Sequence, residues 1–108
     1  MAVTSTQSNS PTVPQMAVGR YLTSSTAAAI TITCGFQPRV VIVKNVTSGD
    51  SYEWYEGMDA AAAYKRVTAG DATILTTLGV TVSASGFIIG LDTDVNVINE
   101  QISWVAFA

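Results

Sequence analysis

The stretch GFQPRVVIVKNVTSGDSYEWYEGM, residues 35–58, reads as two β-strands joined by a turn. Residues 39–46 are rich in β-branched residues, residues 51–57 are rich in aromatic ones, and TSGD at 47–50 is a turn signal. The pattern predicts a β-hairpin. Its first strand begins with apolar residues on both faces, which is typical of a central strand that is covered from two sides.

The same two-residue period continues on both sides of this hairpin. Glycines and the short polar runs DTD and NEQ separate the segments that carry it. Short β-branched segments with regular turn signals predict an all-β fold, either a β-sandwich or a barrel-like roll, of about eight short strands. The further segments are residues 17–24, 28–34, 72–77, 80–84, 86–90, 95–98 and 102–107.

Composition divides the chain into two parts. Residues 1–15 are almost all small, polar or proline residues and are predicted to form an extended, flexible N-terminal arm. Residues 16–108 are predicted to form one β-sandwich domain. In an assembly the arm can lie along a neighbour, and a disordered tail is the alternative. For residues 58–67, MDAAAAYKRV, the sequence allows two structures: a short helix capped by Asp59, or an irregular or extended crossover.

The chain carries very little charge. Only 12% of its residues are charged, compared with about 25% in a typical soluble domain. Because charged residues are depleted at the cores of protein interfaces, this composition favours a subunit of an assembly. The net charge of −3 and the spread of the 5 cations along the sequence argue against nucleic acid as a partner. The apolar runs are too short for a membrane span of about 20 residues, and the N-terminus lacks a leader pattern.

The residue types that most enzymes require are missing. The sequence contains no histidine, which removes the commonest general base and the commonest metal ligand. It contains neither G-x-S-x-G nor a phosphate-binding glycine motif. Glu53 and Glu56 would point to opposite faces of a strand, so they would not converge as a glycosidase pair does. The chain is therefore predicted not to be an enzyme, with no catalytic residue, metal or cofactor.

Two smaller features also receive ordinary structural interpretations. Asp92, Asp94 and Asn96 have the spacing of the first ligands of a calcium loop, but the later positions do not match, so a polar turn is the better interpretation. Cys34 lies at strand spacing in an apolar segment and is predicted to be a buried apolar residue rather than a reactive thiol. A single cysteine also fits synthesis in a reducing cytoplasm.

The aromatic cluster in YEWYEG is predicted to divide between the two faces of its strand. Tyr52 and Trp54 share one face, and Trp54 is expected to belong to the core. Tyr55 then points outward and is the better interface candidate. A sugar-stacking platform formed by these aromatic residues is the alternative.

Three motifs carry a resemblance to a known group of proteins. They are G-F-x-P-R at residues 35–39, E-W-x-E-G-M at 53–58 and G-F-x-I-G at 86–90. Over about residues 33–108 the chain resembles small tailed-bacteriophage virion proteins of the head decoration or cement kind. Related G-F-x-P patterns also occur in phage tail and fibre proteins.

The resemblance implies a non-catalytic structural protein that binds and stabilises the assembled capsid from its exterior. The implied partners are the major capsid protein and further copies of the chain, with a trimer favoured, and neither nucleic acid nor a membrane. Arg39 is expected at such a contact or in an intersubunit ion pair with Glu53 or Glu56. The alternative is a phage tail or fibre module that binds a host carbohydrate or another tail protein. The candidate interface residues are Arg39, Glu53, Tyr55, Glu56, Pro11, Val13 and Pro14.

Overall fold

A computed structural model describes residues 15–23 and 26–108 of the chain. Within these ranges the secondary structure consists of eight β-strands and contains no helix. No segment that could cross a membrane as a helix is found in the described residues. The strands are β1 (Met16–Leu22), β2 (Ile30–Thr33), β3 (Val40–Asn45), β4 (Ser51–Tyr55), β5 (Ala62–Arg66), β6 (Ala72–Ser83), β7 (Gly86–Ile89) and β8 (Gln101–Phe107).

The eight strands form one curled antiparallel sheet in the order β1-β8-β3-β4-β5-β6-β7-β2. The prediction of an all-β fold is confirmed, and the sheet takes the rolled form, as a half-barrel with β1 and β2 at its edges. The predicted hairpin is also confirmed, because β3 pairs with β4 so that Val41 faces Trp54 and Val43 faces Tyr52. Its turn is held by the Asn45 side chain, whose Oδ1 accepts hydrogen bonds from the backbone N–H groups of Thr47 and Ser48, both at 2.9 Å.

The concave side of the sheet, called here the inner face, holds the hydrophobic core. Alternate residues of each strand point inward, so β3 buries every second side chain and β8 buries Ile102 and Ala106. Trp104 lies partly buried against Phe87 in an edge-to-face contact with ring centroids 5.3 Å apart. A Cβ atom at Gly19, which faces Trp104 across the ladder, would overlap the indole ring. The buried core residues are Phe36, Val41, Val43, Tyr52, Trp54, Ala63, Val80, Phe87, Ile89, Val95, Ile102 and Ala106.

Residues 90–100, called here the closing loop, connect β7 to β8 and join the two ends of the curled sheet. Val95 enters the core and is 0% exposed. The Asn96 side chain donates to the carbonyls of Ala28 (3.0 Å) and Gly90 (3.2 Å) and accepts from the Tyr21 hydroxyl at 3.4 Å. One amide therefore connects β1, the chain before β2 and the end of β7. Because burying an unpaired amide is costly, these bonds are what allow a polar loop to fill the gap in the roll.

Two segments differ from the sequence predictions, and a third, which the sequence leaves open between a helix and an irregular or extended crossover, is decided by the structure. Residues 58–67 form no helix: they contain a turn with Ala61 at φ 64° and then β5, which pairs with β4 and β6. The sequence predicts two strands at residues 72–77 and 80–84, but 72–83 are one strand. Its register against β5 shifts between Ala62, which faces Val80, and Ala63, which faces Leu75. The prediction of a strand at 95–98 is wrong, because the Asp92 carboxylate accepts from the N–H groups of Asp94 and Val95 and turns the chain there.

The predicted arm lies almost wholly outside the described residues. Pro11, Val13 and Pro14 fall in residues 1–14, and the structure therefore says nothing of their contacts. The described part begins at Gln15, whose carbonyl accepts a hydrogen bond of 3.0 Å from the backbone N–H of Ala108. This bond continues the pairing of β1 with β8 by one residue.

Candidate interaction surface

The convex side of the sheet, called here the outer face, carries two rows of mostly apolar side chains. The rows follow from the strand register, because residues that face each other across an antiparallel ladder point to the same side. Both rows run across β1, β8, β3 and β4, and the second continues to β6. The first apolar row is Met16, Phe107, Val40 and Tyr55. The second apolar row is Val18, Val105, Ile42, Glu53, Tyr64 and Ile74.

The ends of these rows are strongly exposed. Met16 is 62% exposed, Val18 is 68% exposed and Ile74 is 56% exposed. The central members, Val40 and Ile42 on β3, are only partly buried, although their strand is apolar on both faces. The sequence predicts that this strand is covered from two sides, and no described element of the chain covers its outer side. The outer face is therefore an apolar surface without a cover among the described residues.

A third row on the outer face is basic and runs beside the second apolar row. Reading across the ladder it is Arg20, Ser103, Lys44, Ser51 and Arg66. Cations and hydroxyl groups alternate, and since neighbouring strands are about 4.8 Å apart, successive cations stand roughly 10 Å apart. All three cations are exposed, and none of the ion pairs found within the described residues includes them.

The other two cations are paired with carboxylates of the same chain. Arg39 is 3.2 Å from Glu56 at the rim of the outer face. This ion pair lies within one chain, and because both side chains are at least a third exposed it adds little to stability. Whether Arg39 also contacts another subunit stays a prediction. Lys65 is 3.0 Å from Asp92 and 2.5 Å from Asp94. Three of the five cations thus line up on one face although they are far apart in sequence.

Lys65 explains the acidic residues of the closing loop. Burial alone would lower the pKa of Lys65, but hydrogen bonds to Asp94 and Asp92 outweigh burial and raise it. The two carboxylates neutralise a mostly buried ammonium group, which agrees with the polar-turn interpretation of residues 92–96. Among residues 15–23 and 26–108, no three His, Cys, Asp or Glu side chains lie where they could hold a metal ion.

Four of the predicted interface residues meet at the rim. A shallow cavity of about 380 Å³ is lined by Arg39, Tyr55 and Glu56 together with Val40 and the C-terminal Phe107 and Ala108. The hydroxyl group of Tyr55 donates to Glu53 at 3.1 Å. This hydrogen bond, followed by burial and the negative charge of Glu53, raises the pKa of Tyr55. The rim therefore combines an aromatic ring with charged donors and acceptors.

The aromatic cluster divides as its alternation predicts. Tyr52 is 0% exposed and Trp54 is 5% exposed, whereas Tyr55 is 44% exposed. The Trp54 Nε1–H donates to the carbonyl of Asp59 at 3.2 Å. Trp54 is thus a core residue. Cys34, predicted to be buried, is partly buried against the core, and its thiol donates to the carbonyl of Phe36 at 3.4 Å.

Sequence reasoning missed the basic row and the exposed apolar residues of β1. Each cation is the outward residue of its own strand, and that much follows from alternation. The alignment of the three cations in one row does not follow from alternation, because it depends on strand order: β8, the last strand in sequence, lies between β1 and β3. Only the hairpin pairing of Lys44 with Ser51 could be read from the turn signal.

Comparisons with protein-family models, with curated proteins and with solved structures found no match for this chain. The similarity of its motifs to phage decoration proteins therefore remains a prediction from the sequence.

Proposed function

We propose that this chain is a non-catalytic structural protein of a bacteriophage virion, which binds the assembled capsid through the outer face of its sheet. One observation carries the proposal: β3 and β8 have apolar side chains on both faces, but only the inner face is covered by the described part of the chain. Strands of this kind are normally covered from two sides. The partner supplies the missing cover.

The charge of the molecule supports the same role. Obligate interfaces resemble a domain core cut in half, and they are depleted in charged residues. The two apolar rows meet this description, with Glu53 as their one charged member. The basic row beside them fits a partner whose facing surface is acidic, since charge complementarity selects a partner and its orientation.

A decoration protein of this kind stabilises a shell by mass action. A protein that binds only the assembled lattice adds its binding free energy to the stability of that lattice. Many copies each making a modest contact are then enough to strengthen the shell. The capsid protein is the proposed partner, and the capsid exterior is the proposed location.

The test is a copy count combined with two matched variants. Heads and tails of the phage particles are separated, and the protein is quantified in each fraction by mass spectrometry. We expect hundreds of copies on heads in a fixed ratio to the shell protein. Ile42→Lys places a charge at the centre of the second apolar row and should lower head occupancy at least tenfold. Ile88→Lys, an outward residue of β7 away from both rows, should leave it unchanged.

Full head occupancy of Ile42→Lys, with a cooperative melting transition in both variants, would contradict the outer face as the docking surface. A wild-type protein absent from heads would contradict the capsid role itself.

The rim cavity favours a second candidate, a tail or fibre module that binds a carbohydrate. Tyr55 offers an exposed ring for stacking, while Arg39 and Glu56 offer a donor and an acceptor for hydroxyl groups. A handful of copies confined to tails would favour this candidate. A glycan array should then compare the wild type with Tyr55→Ala, since Trp54 is buried and its removal would disturb the fold.

A further inference from the structure

The free edge of β1 offers a row of backbone groups for pairing. On its other side β1 is bonded to β8, since the N–H of Thr23 donates to Glu100 and that of Ala108 donates to Gln15. Hydrogen-bonded pairs alternate along an antiparallel ladder, so the odd-numbered residues of β1 bond to β8. The even-numbered residues direct their N–H and C=O groups to the free edge, where no described strand receives them. They are Met16, Val18, Arg20 and Leu22.

This edge has little of the protection that exposed edges usually carry. Edge strands are commonly short, bulged, or marked by proline or by several charges. β1 has 7 residues, no proline and a regular register with β8, and Arg20 is its only charge. Met16, Val18 and Leu22 are each more than 60% exposed. The other edge, β2, is shorter, with 4 residues.

We propose that two copies of this chain associate through β1, which pairs antiparallel with β1 of the second copy about a two-fold axis at Gly19. In this register Met16 faces Leu22 of the second copy, and Val18 faces its Arg20. All the edge-facing residues are then paired, which gives up to about eight backbone hydrogen bonds. The pairing concerns self-association and does not depend on the proposed capsid role.

Side-chain chemistry agrees with a second copy as the occupant. The outward side of the joint carries apolar contacts between Met16 and Leu22 at both of its ends. The two Arg20 side chains face Val18 residues rather than each other, so no like charges are opposed. On the inward side the axis passes between two Gly19 residues, and the space that a Cβ atom of each would need is taken by the Trp104 indole of the same copy. The same strand therefore satisfies both halves of an isologous contact.

A trimer, which the sequence motifs suggest, would need a different contact. In a closed ring of three, β1 would pair with β2 of the next copy. In β2 only Thr31 and Thr33 direct backbone groups to the free edge, because Cys34 bonds to Ser85 and the alternation continues from there. That contact offers about half as many hydrogen bonds as the two-fold pairing. The two-fold arrangement uses the available groups more fully.

The molar mass of the full chain, measured by light scattering and sedimentation over a range of concentrations, tests the pairing. We expect a mass of two copies for the wild type. Val18→Pro removes an edge-facing N–H while leaving the bonds to β8 intact, and it should raise the dissociation constant at least tenfold. Val18→Lys adds an edge charge and should act in the same direction should the proline variant fail to fold.

Ile74→Lys is the matched control, because Ile74 lies in the same second apolar row and is similarly exposed but belongs to β6. It should dimerise like the wild type. A wild-type mass of one copy or of three would overturn the proposal. Dissociation of Ile74→Lys to the same extent as Val18→Lys would also overturn it, since the apolar face rather than the edge would then hold the copies together.

The register has a test of its own. Residues that face each other in a hydrogen-bonded pair have Cα atoms about 5.5 Å apart, which is within the range of a disulfide. Mixing the single variants Val18→Cys and Arg20→Cys under mild oxidation should give a cross-linked dimer in high yield. Either variant alone should give little, because Val18 does not face Val18. Strong cross-linking of Val18→Cys alone would contradict an axis at Gly19.

Discussion

The inner and outer faces of the same strands differ in whether the described part of the chain buries their apolar side chains and supplies partners for their polar ones. On the inner face the core is apolar, and every buried side-chain nitrogen or oxygen in the described residues has a hydrogen-bond partner. On the outer face, apolar side chains remain exposed, and three cations stand in a row that takes part in none of the ion pairs seen in residues 15–23 and 26–108. A regular alternation of residues therefore identifies two faces of a strand but does not say which of them the chain itself will bury.

The greatest loss of stability is expected from one of two adjacent residues of β7, which point to opposite faces. Ile89 points inward and is 0% exposed, whereas Ile88 points outward and is 38% exposed. Ile89→Ala should lower the free energy of unfolding by about 2–5 kcal/mol, because it removes buried methyl groups and leaves a cavity. Ile88→Ala should change it by about 0.5 kcal/mol at most. Urea denaturation of both variants measures the difference, and equal losses would contradict the assignment of the two faces.

A smaller loss of stability is expected from replacing Asn96, a buried polar residue of the closing loop. Asn96→Ala removes the amide that connects Tyr21, Ala28 and Gly90, and it leaves their partly buried hydroxyl and carbonyl groups without this partner. We expect a loss of about 1–3 kcal/mol in the free energy of unfolding. Thr93→Ala, an exposed change in the same closing loop, is the control. A loss no greater than that of the control would mean that the closing loop does not hold the roll together.

The smallest loss of stability at neutral pH is expected from replacing Tyr52. The same substitution also changes how the free energy of unfolding declines at high pH. Burial, followed by the charge of Asp92, raises the pKa of Tyr52, and its hydroxyl donates to Leu78 at 2.9 Å. A raised folded-state pKa means that stability is fully present below the unfolded pKa of about 10 and falls above it, by up to about 1.4 kcal/mol per pH unit. Tyr52→Phe should cost about 1 kcal/mol at pH 7 and make the alkaline decline shallower.

Denaturation between pH 8 and 11.5 provides the measurement. Burial also raises the pKa of Tyr21, so adding Tyr21→Phe should make the decline shallower again. If the free energy of unfolding of Tyr52→Phe declined as steeply at high pH as that of the wild type, the pKa of Tyr52 would not be raised in the folded state.

Much of the fold could be predicted because a two-residue period marks a strand wherever one face is buried. The failures occur where long-range pairing or a side chain overrides the local pattern. The alanines of residues 60–63 favour a helix, but pairing with β4 and β6 draws 62–66 into the sheet. At residues 95–98 the alternation is strand-like, yet the Asp92 carboxylate holds a turn. Gly79 is typical of a strand end and instead lies within β6, at the place where the register against β5 shifts.

The candidate surface was less predictable than the fold. Outward positions such as Tyr55 follow from alternation, and Arg39 and Glu56 meet because they lie at the same end of one hairpin. The rows that cross the sheet depend on strand order, and placing β8 between β1 and β3 joins the two ends of the chain. Neither turn signals nor periodicity carries that information, because the pairing of β8 with β1 and β3 joins segments that are far apart in the sequence.

The buried Asn45 has a consequence for producing this protein in other cells. Asn45-Val46-Thr47 matches the acceptor tripeptide for N-linked glycosylation. Asn45 is 0% exposed, and its amide nitrogen donates to Val95 at 3.0 Å and to Glu100 at 2.7 Å. A sugar chain on that nitrogen cannot coexist with the native hairpin. In a eukaryotic secretory pathway, glycan addition to the nascent chain would compete directly with folding, and the modified fraction would be unable to reach the native state.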